Sequence, residues 1–81
     1  MSEHSVVEDG DYFCFCEAFE SPPGVWRALV RFERKSDHAA KKTQIAGMTH
    51  TIHDTFATHH AAMDAARAFA RYKVSKDETG L

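Results

Sequence analysis

Four imidazoles, His50, His53, His59 and His60, fall within eleven residues, with Asp54 among them. Neutral imidazole and carboxylate are ordinary ligands for zinc or nickel. The spacing works against a shared ion. On a strand, His50 and His53 point to opposite faces, and the adjacent His59 and His60 cannot both turn toward one centre. No His-x-x-x-His helical pair is present. The expectation is therefore solvated polar residues at a helix entry, with no metal assigned. The same four residues could instead serve a pH response, because an unperturbed imidazole titrates between about pH 5 and 8. Two positive charges at a helix N-terminus oppose the helix dipole. That alternative expects modest destabilisation on acidification from about pH 7.5 to about 5.5.

Cys14 and Cys16 form a Cys-x-Cys pair on one side of an expected strand. Two thiols could take part in a soft-metal site, but no second cysteine pair exists to complete one. Same-face neighbours on a strand lie roughly 7 Å apart, well beyond the Cβ separation of a disulfide. Their expected role is that of two small buried hydrophobes. No Gly-rich phosphate loop, nucleophile elbow or metal-hydrolase motif is present, and His53-Asp54 is a pair in sequence only. No catalytic residue and no cofactor is assigned, and the expected class is non-enzymatic.

A third constellation is electrostatic. Residues 27–42 carry Arg27, Arg31, Arg34, Lys35, Lys41 and Lys42 against Glu33 and Asp37, a local excess of +4. Arg27 and Arg31 share one strand face with Leu29 between them. With Phe13 or Phe15 adjacent, they would make an aromatic–basic platform of the kind that stacks single-stranded nucleic acid. The competing expectation is a solvated sheet face with cross-strand pairs such as Glu17 to Arg27 or Arg31.

These residues must be positioned by a small fold. The chain has 81 residues, 43% of them hydrophobic, and a net charge of −2. A chain of this size buries about 60–65% of the surface its unfolded form exposes. The negative balance disfavours generic binding to nucleic acid or anionic membranes. No segment has the apolar length of a transmembrane helix, and the N-terminus lacks the features of a signal peptide. The expected location is the cytoplasm, with both cysteines reduced.

One long helix is expected within residues 55–74. Thr58 is its N-cap candidate. Ala62, Ala65, Ala66, Phe69 and Ala70 form an apolar stripe, flanked by Met63 and Val74. Asp64 and Arg67 are spaced to pair on the outer side. Residues 11–19 read as a strand with apolar groups on both faces. Residues 25–34 read as a second strand with Trp26, Ala28, Val30 and Phe32 on a clean apolar face. Glu20-Ser21-Pro22-Pro23-Gly24 is the turn between them. Residues 35–40 are expected as a polar loop. A third strand, broken near Gly47, is expected within 41–56. Residues 1–10 read as a flexible acidic arm, with Val6 and Val7 able to add a short edge contact, and 75–81 as a frayed tail. The fold class is α+β: a three-stranded antiparallel meander packed on one C-terminal helix, in a single domain over 11–74.

The combination Tyr12-x-Cys14-x-Cys16-x-Ala18, Trp26-x-Ala28-x-Val30 and Phe56-x-Thr58-x-x-x-Ala62-x-x-Ala65-Ala66-x-x-x-Ala70 resembles a group of short uncharacterised bacterial β-β-β-α proteins across most of residues 11–74. It is also loosely similar to the β-β-β-α arm-type DNA-binding domains of integrases. The first resemblance implies no activity. The second implies a basic sheet laid in the major groove, from which the acidic N-terminus and negative charge depart.

The leading expectation is a protein-interaction module. One helix covers one sheet face, and Val25, Arg27, Leu29 and Arg31 lie on the other, an apolar centre with a charged rim. A protein partner, or self-association into a homodimer through that face or an edge strand, would cover it. Nucleic-acid binding through Arg27–Lys42 and a histidine-based metal or pH response are the alternatives.

Overall fold

The computed structural model describes residues 2–81. Its elements are β1 (Ser2–Asp9), β2 (Tyr12–Glu20), β3 (Trp26–Arg34), the short helix α1 (Lys35–Ala39), β4 (Gly47–Thr51) and the long helix α2 (His59–Ser75). The four strands form one antiparallel sheet in sequence order. The α+β class is as expected, but the sheet has four strands rather than three.

The additional strand is β1. The segment expected to be a flexible arm pairs with β2 along its length, from Ser2 opposite Phe19 to Asp9 opposite Tyr12. The loop between them is Gly10-Asp11, with Gly10 at φ 54°. Glycine at the first position of a two-residue loop matches the right-handed twist of its strands, so the hairpin closes tightly. Met1 lies outside the described residues.

The β2–β3 connection folds as expected. Ser21 donates to the Val25 carbonyl at 2.9 Å, and Gly24, at φ 83°, donates to the Glu20 carboxylate at 2.8 Å. Residues 35–39, expected as loop, form one helical turn. Its buried Asp37 accepts a hydrogen bond from Lys42 at 2.9 Å, tying the turn to the segment that follows it. β4 begins at Gly47 rather than breaking there. The irregularity falls later: Ile52 donates to the Ala28 carbonyl at 3.0 Å, and Phe56 then exchanges two 2.8 Å backbone bonds with Trp26. Residues 53–55 bulge out between those contacts.

α2 starts where its cap predicts. The Thr58 hydroxyl accepts from the Ala61 amide at 3.1 Å. Asp64 pairs with Arg67 at 3.4 Å and with His60 at 3.1 Å on the outer side. The inner side buries Ala62, Met63, Ala66 and Ala70 against Cys14, Cys16 and Ala18 of β2 and Ala28, Val30 and Phe32 of β3. Small residues meet small residues at the centre, so the helix axis lies close to the sheet. Trp26, Ile52, Phe56, Phe69 and Val74 fill the perimeter.

The tail does not fray. Thr79 is buried, Leu81 packs against the core, and the Thr79 carbonyl bonds the His50 imidazole at 2.8 Å. A chain reversal through Asp77 and Gly80, both at positive φ, carries the tail back over β4. The shortest molecular dimension is 16 Å. That accommodates one sheet and one helix, since packed layers sit about 10 Å apart.

Candidate functional site

Strand alternation settles what lies opposite the helix. With Cys14, Cys16 and Ala18 turned inward, β2 turns Phe13, Phe15, Glu17 and Phe19 outward. β3 adds Arg27, Leu29, Arg31 and Glu33, and β1 adds His4, Val6 and Glu8. The three phenylalanines and Leu29 are only half-buried, and Val6 is 54% exposed. None belongs to the core cluster. This is the open face.

The register arranges it in four rows across the strands. The first holds Glu8, Phe13, Glu33 and Gly47. The second holds Val6, Phe15, Arg31 and Thr49. The third holds His4, Glu17, Leu29 and Thr51, and the fourth holds Phe19 and Arg27. α1 overhangs the first row: His38 stands edge-on to the Phe13 ring at 5.0 Å, and Lys35 lies 5.7 Å from its centre. Among the described residues no element lies over the other three rows.

The charges on this face differ in how well they are met. Glu33 accepts from Arg31 Nε at 2.7 Å and is bonded to His38 Nε2 at 2.8 Å. Burial raises the Glu33 pKa, but those hydrogen bonds outweigh it and hold the carboxyl below its usual value. A side chain at Gly47 would overlap the Arg31 guanidinium, so the glycine leaves the notch in which that group rests. Glu8 meets Lys35 at 3.4 Å and Glu17 meets His4 at 3.7 Å. The expected Glu17 pairs with Arg27 or Arg31 do not form. Arg27 makes no ion pair among the described residues.

The residues named for an interaction surface fall as follows. Arg27, Leu29 and Arg31 are together on the open face, and Val25 lies one residue before β3, in the turn. Phe13, Phe15, Phe19 and Val6 are the larger part of that face. The signal for them was the alternation of β2, readable once its small residues are assigned to the helix.

The basic strip is dispersed. Arg34 is in the covered-face register and pairs with Asp37 at 3.8 Å, Lys42 is held by the same carboxylate, and Lys35 is engaged at Glu8. The hydrogen bond from Lys42 is the main influence that keeps the Asp37 carboxyl below its usual value. Lys41 is exposed in the following loop.

The histidines separate too. His50 is half-buried under the helix between Phe32 and Phe69, at 5.5 and 5.9 Å. His53 is exposed on the bulge, His59 stands edge-on to Trp26 at 5.3 Å, and His60 is exposed. No three His, Cys, Asp or Glu side chains among the described residues are grouped to hold a metal ion. Cys14 and Cys16 are free thiols with no solvent exposure. Burial, aided by Cys16, pushes the Cys14 thiol up to about 11, and burial also raises Cys16. Both are therefore poor nucleophiles near neutrality. No helix among the described residues is long and apolar enough to cross a membrane. Comparison with family models, characterised proteins and solved structures finds no match for this chain.

Proposed function

We propose that this chain is a protein-interaction module that binds through the open face of its sheet. One observation carries the reading. Three phenylalanines, a leucine and a valine lie side by side on a face that, among the described residues, only α1 reaches, at Phe13. An apolar centre rimmed by Arg27, Arg31 and Glu17 has the composition of an interface, where aromatic residues and arginine are enriched. Phe15 is the natural anchor, since it sits in the second row between Val6 and Arg31.

A nucleic-acid platform is the weaker reading on the same face. Glu8, Glu17 and Glu33 balance Arg27, Arg31 and Lys35, a formal charge of zero where phosphate needs a positive field. Arg31 is also already committed to Glu33.

Two variants test the proposal. F15E places a charge in the centre of the open face, and A68E places the same charge on the exposed outer side of α2. The wild-type chain and A68E are expected to retain a defined protein partner on an affinity matrix, and F15E to lose it. Equal retention by the wild-type chain and both variants would move the site elsewhere. Binding of single-stranded oligonucleotides at low salt, weakened by R27E, would favour the nucleic-acid reading instead.

A further inference from the structure

The four rows of the open face carry alternating formal charge. The first row carries two negative charges (Glu8 and Glu33), the second one positive (Arg31), the third one negative (Glu17) and the fourth one positive (Arg27). Lys35 meets Glu8 within the chain, which leaves the pattern minus, plus, minus, plus. A two-fold axis in the plane of the sheet has two simple orientations. Along the strands, it lays each row on its own copy with the strand order reversed, so that every charged row meets a row of its own sign. Across the strands, between the Phe15 and Glu17 rows, it lays the first row on the fourth and the second on the third. Every charged row then meets one of opposite sign.

We infer that the occupant of the open face is a second copy of this chain, packed face to face about the axis that runs across the strands. The inference rests on the interaction reading above and names its partner. In this arrangement Arg27, which makes no ion pair among the described residues, faces Glu33 of the other copy. Phe13 faces Phe19, and Glu17 lies beside the other copy's Arg31. The charge-bearing α1 supplies a second reason. It stands over Phe13 at the first-row end of the sheet, so the axis across the strands sets the two copies of α1 at opposite ends of the interface, each against the partner's fourth row. The axis along the strands would drive the two copies of α1 together.

The face is large enough for a weak dimer. The strands hold 8, 9, 9 and 5 residues. At about 3.3 Å per residue and about 4.8 Å between strands they give about 490 Å² per face, about 1,000 Å² in all. That meets the ~1,000 Å² expected of a specific interface and sits at the weak end of the range.

Sedimentation of the full chain from about 1 μM to about 1 mM reads the equilibrium, with a dissociation constant of about 1–100 μM expected. R27E brings two carboxylates together at each Arg27–Glu33 contact and is expected to weaken the dimer at least about tenfold, with F15E weakening it further. R27E/E33R reverses both partners and is expected to restore the wild-type constant to within about threefold. Melting curves of each variant establish that it is folded, and R27Q with the native Glu33 gives an intermediate constant if E33R disturbs Arg31. A chain that is monomeric throughout overturns the second copy. If F15E-sensitive capture of a different protein survives that result, the interaction reading stands without it. A dimer indifferent to R27E and F15E, or one that a folded R27E/E33R does not restore, also overturns the inference.

Discussion

The two faces of this sheet are built from alternate residues of the same strands, and they differ first in size. On β2 the covered face is Cys14, Cys16 and Ala18, and the open face is Phe13, Phe15, Glu17 and Phe19. On this strand the bulkier, more hydrophobic side is the one left in contact with solvent. The helix chose by approach distance. An alanine stripe gains contact only where its partner is also shallow, because dispersion attraction is lost within a fraction of an ångström of separation. Ala62, Ala66 and Ala70 can sit down on Cys14, Cys16, Ala18 and Ala28, and could not do so on three phenyl rings. On β2, hydrophobicity alone would have assigned the faces the other way; on β3 it assigns them as found, with Trp26, Ala28, Val30 and Phe32 toward the helix.

Deleting one ring from each face separates the two most clearly. Phe32 is the largest fully buried side chain. F32A should lower unfolding stability by about 3–5 kcal/mol, through lost transfer energy and the cavity it leaves. F15A, deleting an equal ring from the open face, should cost about 1 kcal/mol or less in a monomeric sample. Urea denaturation measures both, and similar losses would mean that the two faces are equally buried in solution.

Adding bulk sharpens the same contrast. A66L forces three heavy atoms between helix and sheet at a site with no exposure, at a cost of about 1–3 kcal/mol. A68L adds the same atoms on the solvent side of α2 and should stay within about 0.5 kcal/mol of the parent. The helix can also be loosened from its end. T58A removes the hydroxyl that accepts from Ala61 and should cost about 1 kcal/mol, while T58S keeps the bond and most of the stability. Equal melting temperatures for T58A and T58S would show that the cap contributes nothing to docking.

The parts of this fold that were legible in sequence are those where one signal sufficed. α2 has a cap, a stripe and a charged outer side in phase, and β3 alternates cleanly. β1 was obscured because its acids and Glu8-Asp9-Gly10 resemble a solvated arm. The Gly10-Asp11 loop was the hairpin signal, and the period-two alternation of Ser5 and Val7 against His4, Val6 and Glu8 supported it. The tail and α1 depend on tertiary partners far along the chain: His50 for Thr79, and Lys42 and Arg34 for Asp37. No local pattern encodes such contacts. The open face was half legible. Arg27, Leu29 and Arg31 follow from β3 alone, but Phe13, Phe15 and Phe19 could not be placed until the inward side of β2 was known.

Titration of the carboxyls at the α1 end of the sheet contributes least. Glu33, bonded to Arg31 and His38, has a folded-state pKa below its ordinary 4.5, and Asp37, bonded to Lys42, lies below its ordinary 3.8. A carboxyl whose pKa is lowered by folding binds protons more readily in the unfolded chain, so stability falls with falling pH. The contribution is complete above about pH 4.5, where both states are ionised, and disappears as the pH drops through the lowered folded value. E33Q should therefore flatten the acid limb of the stability profile and leave the curve above about pH 6 parallel to that of the parent. Among the described residues no carboxylate carried by a strand on the covered face is bonded in this way; the thiols there are shifted upward and titrate only in alkali. Acid should thus act first at the α1 end of the open face, seen as early loss of amide protection in β3 near Glu33 while α2 stays protected. Simultaneous loss in both places would mean that the rim and the core unfold as one unit, and that Glu33 reports on the whole molecule rather than on its open side.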